Sequence, residues 1–359
     1  MRKFAWFCVC CMALTPAAHA SGLMDWLEQH SDKPHTPADA AKLLTLENKQ
    51  SEMYPQPSPG GRFLLTVTRN DKETWISRRY SENGDAANVV SSDSRALDSI
   101  GWMDEGKVFY LSQRAGGLGL WEKISDGEGM QRRIVPLKGT LIQPLWRSDA
   151  SIFAVRLVAL AGQEKQRQTH RDPFNNWDFP GFRAEVVRIN NNGNANRISE
   201  GVNPALSPDG QWIAFSIAEG RSFHLYRMRT DGSDLIQMTD ARSIDVQPSW
   251  SRDGQTILFT SNRADADLRH PDRSNWDIWS IGIDGRHLQR ITYDKARDGA
   301  PRMGADGRIY FHSDRVVDKP LRKQRKVDAV RAHSFHIWTI DMPAADAPAT
   351  VVQPKTTTP

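Results

Sequence analysis

Between Asn203 and Ile340, short apolar runs alternate with polar turns in a repeating order. Trp212-Ile213-Ala214-Phe215 is followed by Leu225-Tyr226-Arg227-Met228, with Ser207-Pro208-Asp209-Gly210 ahead of the first run and Asp231-Gly232 behind the second. The order returns at Ile257-Leu258-Phe259 and Ile278-Trp279, framed by Asp253-Gly254 and Asp284-Gly285. It returns again at Ile309-Tyr310-Phe311 and Ile337-Trp338, after Asp306-Gly307. Runs this short, rich in β-branched and aromatic residues and closed by Asp-Gly, predict strands joined by tight turns. Repetition of one several-stranded unit predicts a β-propeller.

A proline six residues before a turn glycine marks the unit and carries it backwards along the chain. Pro55 and Gly61, Pro204 and Gly210, Pro248 and Gly254, and Pro301 and Gly307 all fit. Pro144 fits if Ala150 stands in for the glycine, and Gly106 marks a unit with Ile100 at the proline position and Trp102 where Trp146 and Trp250 fall. The third strand of each unit is expected around Trp75, Trp121, Val187, Tyr226, Trp279 and Trp338. The fold class is therefore all-β, a six-bladed β-propeller of four-stranded antiparallel blades over residues 53–353. Proline cannot donate to a sheet ladder, so the proline-bearing first strands should be inner edges lining a central channel. The recurrent Trp and Tyr are expected to pack between blades.

The flanks differ from this pattern. Arg2 and Lys3 precede an apolar run that ends in Ala18-His19-Ala20, which predicts a signal peptide over residues 1–20 and a periplasmic address, with secretion as the second choice. Cys8, Cys10 and Cys11 all fall inside it, so the mature chain would hold no disulfide, thiol nucleophile or cysteine metal ligand. Residues 21–52 form an arm in which Thr36-Pro37 is expected to cap a short helix, with Ala40, Ala41, Leu43, Leu44 and Leu46 on its apolar side. Residues 354–359 read as a disordered tail. The net charge of +4, lowered further when Arg2 and Lys3 leave, is too small to suggest nucleic acid as a partner. No stretch after the signal is long and apolar enough for a membrane span.

The order Pro-x-x-Ser-Pro-Asp-Gly, apolar strand, Ile-Tyr or Ile-Trp, Asp-Gly resembles the TolB-type propeller repeat. Pro204 to Gly232 and Pro248 to Gly285 carry it most fully, and Ser261-Asn262-Arg263 resembles a polar strand end common in that family. The resemblance implies a periplasmic propeller that works by protein–protein contact, as TolB does when it holds a peptidoglycan-associated lipoprotein in the Tol-Pal envelope system. TolB carries an α/β domain ahead of its propeller; here only residues 21–52 precede the repeats, so the propeller is expected without it. Similar repeats precede the hydrolase domain of prolyl-oligopeptidase-like peptidases, but no Gly-x-Ser-x-Gly elbow is present. Oligogalacturonate lyases use related repeats with a metal held by clustered histidines.

Loop length singles out one face. The spacing from turn to third-strand residue is short in the units of Gly61, Gly106 and Gly210 and much longer in those of Ala150, Gly254 and Gly307. The long loops belong to blades three, five and six, and long loops on a rigid scaffold are where binding usually sits. His170-Arg171-Asp172-Pro173-Phe174-Asn175-Asn176-Trp177-Asp178 and Arg269-His270-Pro271-Asp272-Arg273-Ser274-Asn275-Trp276-Asp277 both end in Asn-Trp-Asp. Arg171, Trp177, Asp178, His270, Arg273 and Trp276 are accordingly candidate partner-binding residues, since Trp and Arg often anchor interfaces. The sixth loop adds a basic run whose candidates are Arg322, Lys323, Arg325 and Lys326, suited to an anionic surface.

His170, His270, His312, His333 and His336 lie near the ends of the long-loop segments, but no HExxH or paired spacing joins them. No catalytic residue, cofactor or metal site is assigned. The expected function is non-catalytic: a module that binds a cell-envelope protein, such as a Tol-Pal-like lipoprotein, through the channel mouth and the long loops. The alternative is a carbohydrate-binding or metal-dependent polysaccharide-lyase-like propeller, with a glycan as ligand; a bound divalent metal with clustered histidines would favour it, and a dry or proline-lined channel without metal would favour the protein-binding reading. A propeller paired with a separately encoded hydrolase is a third possibility. Thr350-Val351-Val352 could supply the strand that closes the ring.

Overall fold

The computed structural model describes residues 39–47, 49–92, 100–161, 172–327 and 334–343. It contains six four-stranded antiparallel sheets, one for each predicted unit. Blade five is typical, with strands Asp245–Trp250, Thr256–Ser261, Asp277–Gly282 and Gln289–Arg290 in sequential order. Trp75, Trp121, Val187, Tyr226, Trp279 and Trp338 all lie in third strands, as the spacing predicts. Neighbouring blades share apolar faces. Ala205, Ala214 and Leu225 of blade four, for example, pack with Trp250, Ile257, Phe259 and Ile281 of blade five.

The recurring turn is built by side chains as well as by glycine. Ser207 and Ser251 each accept the backbone N–H five residues on, from Trp212 and Thr256 at 2.9 Å. Asp209 and Asp253 accept from the amides of Gln211 and Gln255 at 3.0 Å. These bonds fold Ser-Pro-Asp-Gly and Ser-Arg-Asp-Gly back on themselves, and the glycine then needs a left-handed φ, +66° at Gly210 and +69° at Gly254. Ala150 adopts φ +65° in the same place, so the third unit keeps the turn and accepts the steric cost of a Cβ.

The landmark proline has a second effect. The residue before it is left-handed in five blades: Tyr54 at φ 54°, Gln143 at 51°, Asn203 at 51°, Gln247 at 53° and Ala300 at 50°. The ladder register slips at each of these positions. Each slip is a β-bulge on the inner strand, and the following proline leaves no orphan N–H there. Blade two lacks the proline and keeps an unbroken register over Ile100–Trp102.

The ring closes differently from expectation. Residues 39–46 form no helix; Lys42–Leu43 is a strand that pairs antiparallel with His336–Asp341 as the outermost strand of blade six. An unpaired sheet edge offers a full row of backbone donors and acceptors, and this outweighs the weak helix signal of a short capped segment. Asp39 fixes the entry. Its carboxylate takes both ends of the Arg315 fork at 2.8 and 2.9 Å, and it also accepts from the amides of Tyr293 and Ala41. Arg315 reaches back to Asp298 Oδ2 at 2.6 Å, so one guanidinium joins the arm to blade six. Burial works to raise Asp39, but the Arg315 bond and charge outweigh it and hold the carboxyl below its usual range. The segment 1–20 expected to be a signal, the arm before Asp39, Thr350-Val351-Val352 and residues 354–359, expected to be a tail, lie outside the described residues.

Candidate functional site

The five bulges turn their pre-proline residues into the channel, where each backbone N–H requires an acceptor. The preceding blade supplies it. Asn203 N donates to Gln143 Oε1 at 2.7 Å, Gln247 N to Asn203 Oδ1 at 3.3 Å and Ala300 N to Gln247 Oε1 at 2.8 Å. Tyr54 N donates to His312 Nδ1 at 3.2 Å. Side chains of one blade thus satisfy the strained backbone of the next, around much of the ring.

One end of the channel is filled by the blade-three loop. The Asn176 carbonyl accepts from Gln143 Nε2 at 2.7 Å, and its side-chain oxygen accepts from Asn203 at 3.1 Å and Gln247 at 3.0 Å. Phe174 stacks on Phe335 at 5.6 Å and meets Trp177, Trp276 and His312 edge-on at 5.5 Å each. Trp177 and Trp276 lie 5.1 Å apart. Tyr54 Oη donates to the Pro173 carbonyl, and Arg297 pairs with both Asp172 and Asp314 while lying over the Phe174 and Phe335 rings. A Cβ on Gly299 would come within 2.6 Å of the Phe174 ring, so only glycine lets the plug seat.

This corrects the reading of the twin Asn-Trp-Asp motifs. The two loops do meet, but inward: Trp177 and Trp276 are 3% and 2% exposed. They hold the plug and present no ring to a partner. Asp178, His270 and Arg273 are exposed, whereas Asp277, the counterpart of Asp178, is buried. Lys323, Arg325 and Lys326 are exposed and Arg322 half-buried, around a short helix, Lys319–Gln324, capped by Asp318. Arg171, His170 and His333 lie outside the described residues. His336 is a core residue, bound to Glu52 at 2.9 Å, and among the described residues no three His, Cys, Asp or Glu come together to hold a metal.

His312 is fully buried, and desolvation, with Arg297 and Arg302 nearby, pushes its pKa down to about 3. It is therefore neutral in the folded state and protonated below about 6.5 in the unfolded chain. Stability from this group is present above pH 6.5 and is lost as pH falls toward 3. In His312→Asn, Oδ1 replaces Nδ1 as acceptor and nothing titrates. Between about pH 6 and 5 the variant should gain about 1 kcal/mol on wild type in urea titrations; a constant gap across that range would rule out a neutral buried imidazole.

The other end of the channel is open, with a cavity of about 560 Å³. Its floor is the hydrogen-bonded ring with Asn176, and its rim is made by turn residues such as Pro59, Pro208 and Arg252. The walls are Pro57, Pro144, Pro204 and Pro248 with Trp102, Trp146 and Trp250. Two of these indoles tie adjacent blades together: Trp102 donates to the Gln56 carbonyl at 2.8 Å and Trp250 to the Ala205 carbonyl at 2.9 Å. The residue after each landmark proline also lines the cavity: Gln56, Leu145, Ala205, Ser249 and Arg302. The open mouth is on the turn face, opposite the long loops, and sequence reasoning missed it. Arg302 could have been found from its position directly after Pro301, where the other units carry uncharged residues.

Residues 187–267, from blade three into blade five, match the family model described as the TolB beta propeller domain. Over 137 residues the chain is 28% identical to the Tol-Pal system protein TolB of Anaeromyxobacter dehalogenans, a match covering 37% of this chain and 27% of that protein. Over 88 residues it is 32% identical to an uncharacterized protein of Agrobacterium fabrum, covering 24% of this chain and 30% of the relative. The chain thus spans less than a third of the length of these curated relatives. Among solved structures, it is similar to a gluconolactonase from Xanthomonas campestris at TM-score 0.53 and 13% identity, over 84% of this chain and 89% of that one. That likeness concerns the fold alone. Within the matched stretch the serine, aspartate and glycine of the turn and the landmark proline recur most regularly, and the match and the six four-stranded sheets together show TolB-like propeller repeats in this chain.

Proposed function

We propose that this protein is a non-catalytic, periplasmic protein-binding module that takes an extended segment of a cell-envelope partner into the open mouth of its channel. The observation that carries this reading is the mouth itself: a cavity on a rigid ring, walled by proline and tryptophan and closed at its far end by the protein's own loop. Prolines offer apolar surface without competing donors, and indoles give rigid contact area, which together suit a polypeptide in extended conformation. Similarity to a Tol-Pal system protein supports an envelope partner, a Tol-Pal-like lipoprotein being the first to try. The exposed Lys323, Arg325 and Lys326, with Asp178, His270 and Arg273, form a separate polar surface on the opposite face, suited to a second, salt-sensitive contact.

The two faces can be tested apart. A photo-crosslinking residue placed at Arg252 reports on the rim and one at Lys323 on the opposite face; both positions are exposed. Irradiation in envelope extract should give a discrete protein adduct from position 252. An adduct from position 323 alone would move the site to the long-loop face. With no adduct from either position, retention of the protein on an acidic oligosaccharide matrix would favour the carbohydrate-binding alternative, for which the tryptophan walls also provide stacking surface.

A further inference from the structure

Arg302 stands in the wall of the open mouth, on the inner strand Asp298–Met303 of blade six. Four other arginines drawn into the interior have carboxylate partners: Arg79 with Glu47 and Glu52, Arg263 with Asp245, Arg297 with Asp172 and Asp314, and Arg315 with Asp39 and Asp298. Arg302 has none among the described residues. Its Nε donates to Gln56 Oε1 at 3.3 Å and its Nη1 to the carbonyls of Pro248 at 3.3 Å and Pro301 at 3.0 Å, all neutral acceptors. These bonds aim the guanidinium while leaving its charge uncompensated. Arg252 on the rim is the other charged residue of the lining, and the lining contains no Asp or Glu.

We infer that the open mouth is a receptor for a single carboxylate, anchored by Arg302 and presented by an extended segment of the partner polypeptide. This rests on the reading of the mouth as a polypeptide site. A guanidinium with no counter-charge in a confined wall is costly, and a ligand carboxylate arriving there recovers that cost through charge-assisted hydrogen bonds. Burial lowers the Arg302 pKa only to about 10, so the cation persists at neutral pH. Nη2 carries no bond among the described residues, and its N–H groups offer a charge-assisted contact to a single negative charge; a phosphate dianion would need more positive charge than this wall holds. The carboxylate can be an Asp or Glu side chain or a free chain terminus, and the same chemistry serves both.

Three pools of proline-containing octapeptides separate the sources: amidated and free of acids, amidated with one Glu, and free of acids with a free C-terminus. Retention by the immobilised full chain and by its Arg302→Gln variant is compared, with affinities read by fluorescence anisotropy. Wild type should hold at least one of the carboxylate-bearing pools, Arg302→Gln should weaken that binding at least about tenfold, and Arg302→Lys should fall between them. A preference between the second and third pools names the source of the carboxylate. Without peptide, Arg302→Gln should melt at the same temperature as wild type or higher, because an uncompensated cation has been removed; a fall would mark Arg302 as a structural tie between blades. If all three pools bind wild type and variant alike, the polypeptide site stands and the carboxylate inference fails. If no pool binds, both fail, and binding of oligogalacturonate that depends on Arg302 would reassign the site to an acidic sugar.

Discussion

Replacing Arg315 with Met should lower the stability of the propeller by about 3–5 kcal/mol. The guanidinium is bonded to both Asp39 of the closing arm and Asp298 of the inner strand of blade six, and all three side chains are buried, at 2%, 3% and 0% exposure. Removing it leaves two desolvated carboxylates without the cation that offsets their charge, and the neutral donors that remain compensate only in part. The loss should be read as a lower urea midpoint at neutral pH. It should shrink in acid, where protonation relieves the stranded pair: burial already pushes Asp298 upward even with Arg315 in place. The triple variant Asp39→Asn, Arg315→Met, Asp298→Asn should recover most of the loss, since it removes the charges together. If Arg315→Met alone left the midpoint unmoved, the clamp would not be holding the ring closed, and the pairing of Lys42–Leu43 would have to suffice alone.

Phe174→Ala is expected to loosen the channel plug by about 3–5 kcal/mol. The ring touches Trp177, Trp276, His312 and Phe335, and no neighbouring side chain can collapse into its place without breaking these contacts. Phe174 belongs to a loop, so the effect should be largely local. Backbone amides of Asn203, Gln247 and Ala300, which point into the ring beneath the plug, should exchange with solvent much faster, while the urea midpoint moves less. Unchanged exchange at those amides would mean that the ring protects itself and that the plug is dispensable. Faster exchange together with binding through either mouth would show that Phe174 is what makes the channel one-sided.

Much of the architecture could be read directly from local chemistry. Ser-Pro-Asp-Gly builds its own turn through bonds between near neighbours, so it announces itself wherever it occurs, and even Ala150 could be placed by spacing. The landmark proline likewise marks an inner edge strand. Lys42–Leu43 was missed because two residues have no periodicity to read, and their state is fixed by the open edge of a strand almost three hundred residues later in the chain. The twin Asn-Trp-Asp motifs were visible as a pair, but whether a loop turns outward or into a channel depends on what fills the channel.

For this protein, then, the order of residues by itself determined the all-β repeat, the number of blades and the turns, because those depend on contacts within a few residues. The closing of the ring, the plugging of one mouth and the isolation of Arg302 in the other were decided only by the tertiary structure. Each depends on which groups from distant blades satisfy, or leave unsatisfied, a buried charge or backbone N–H.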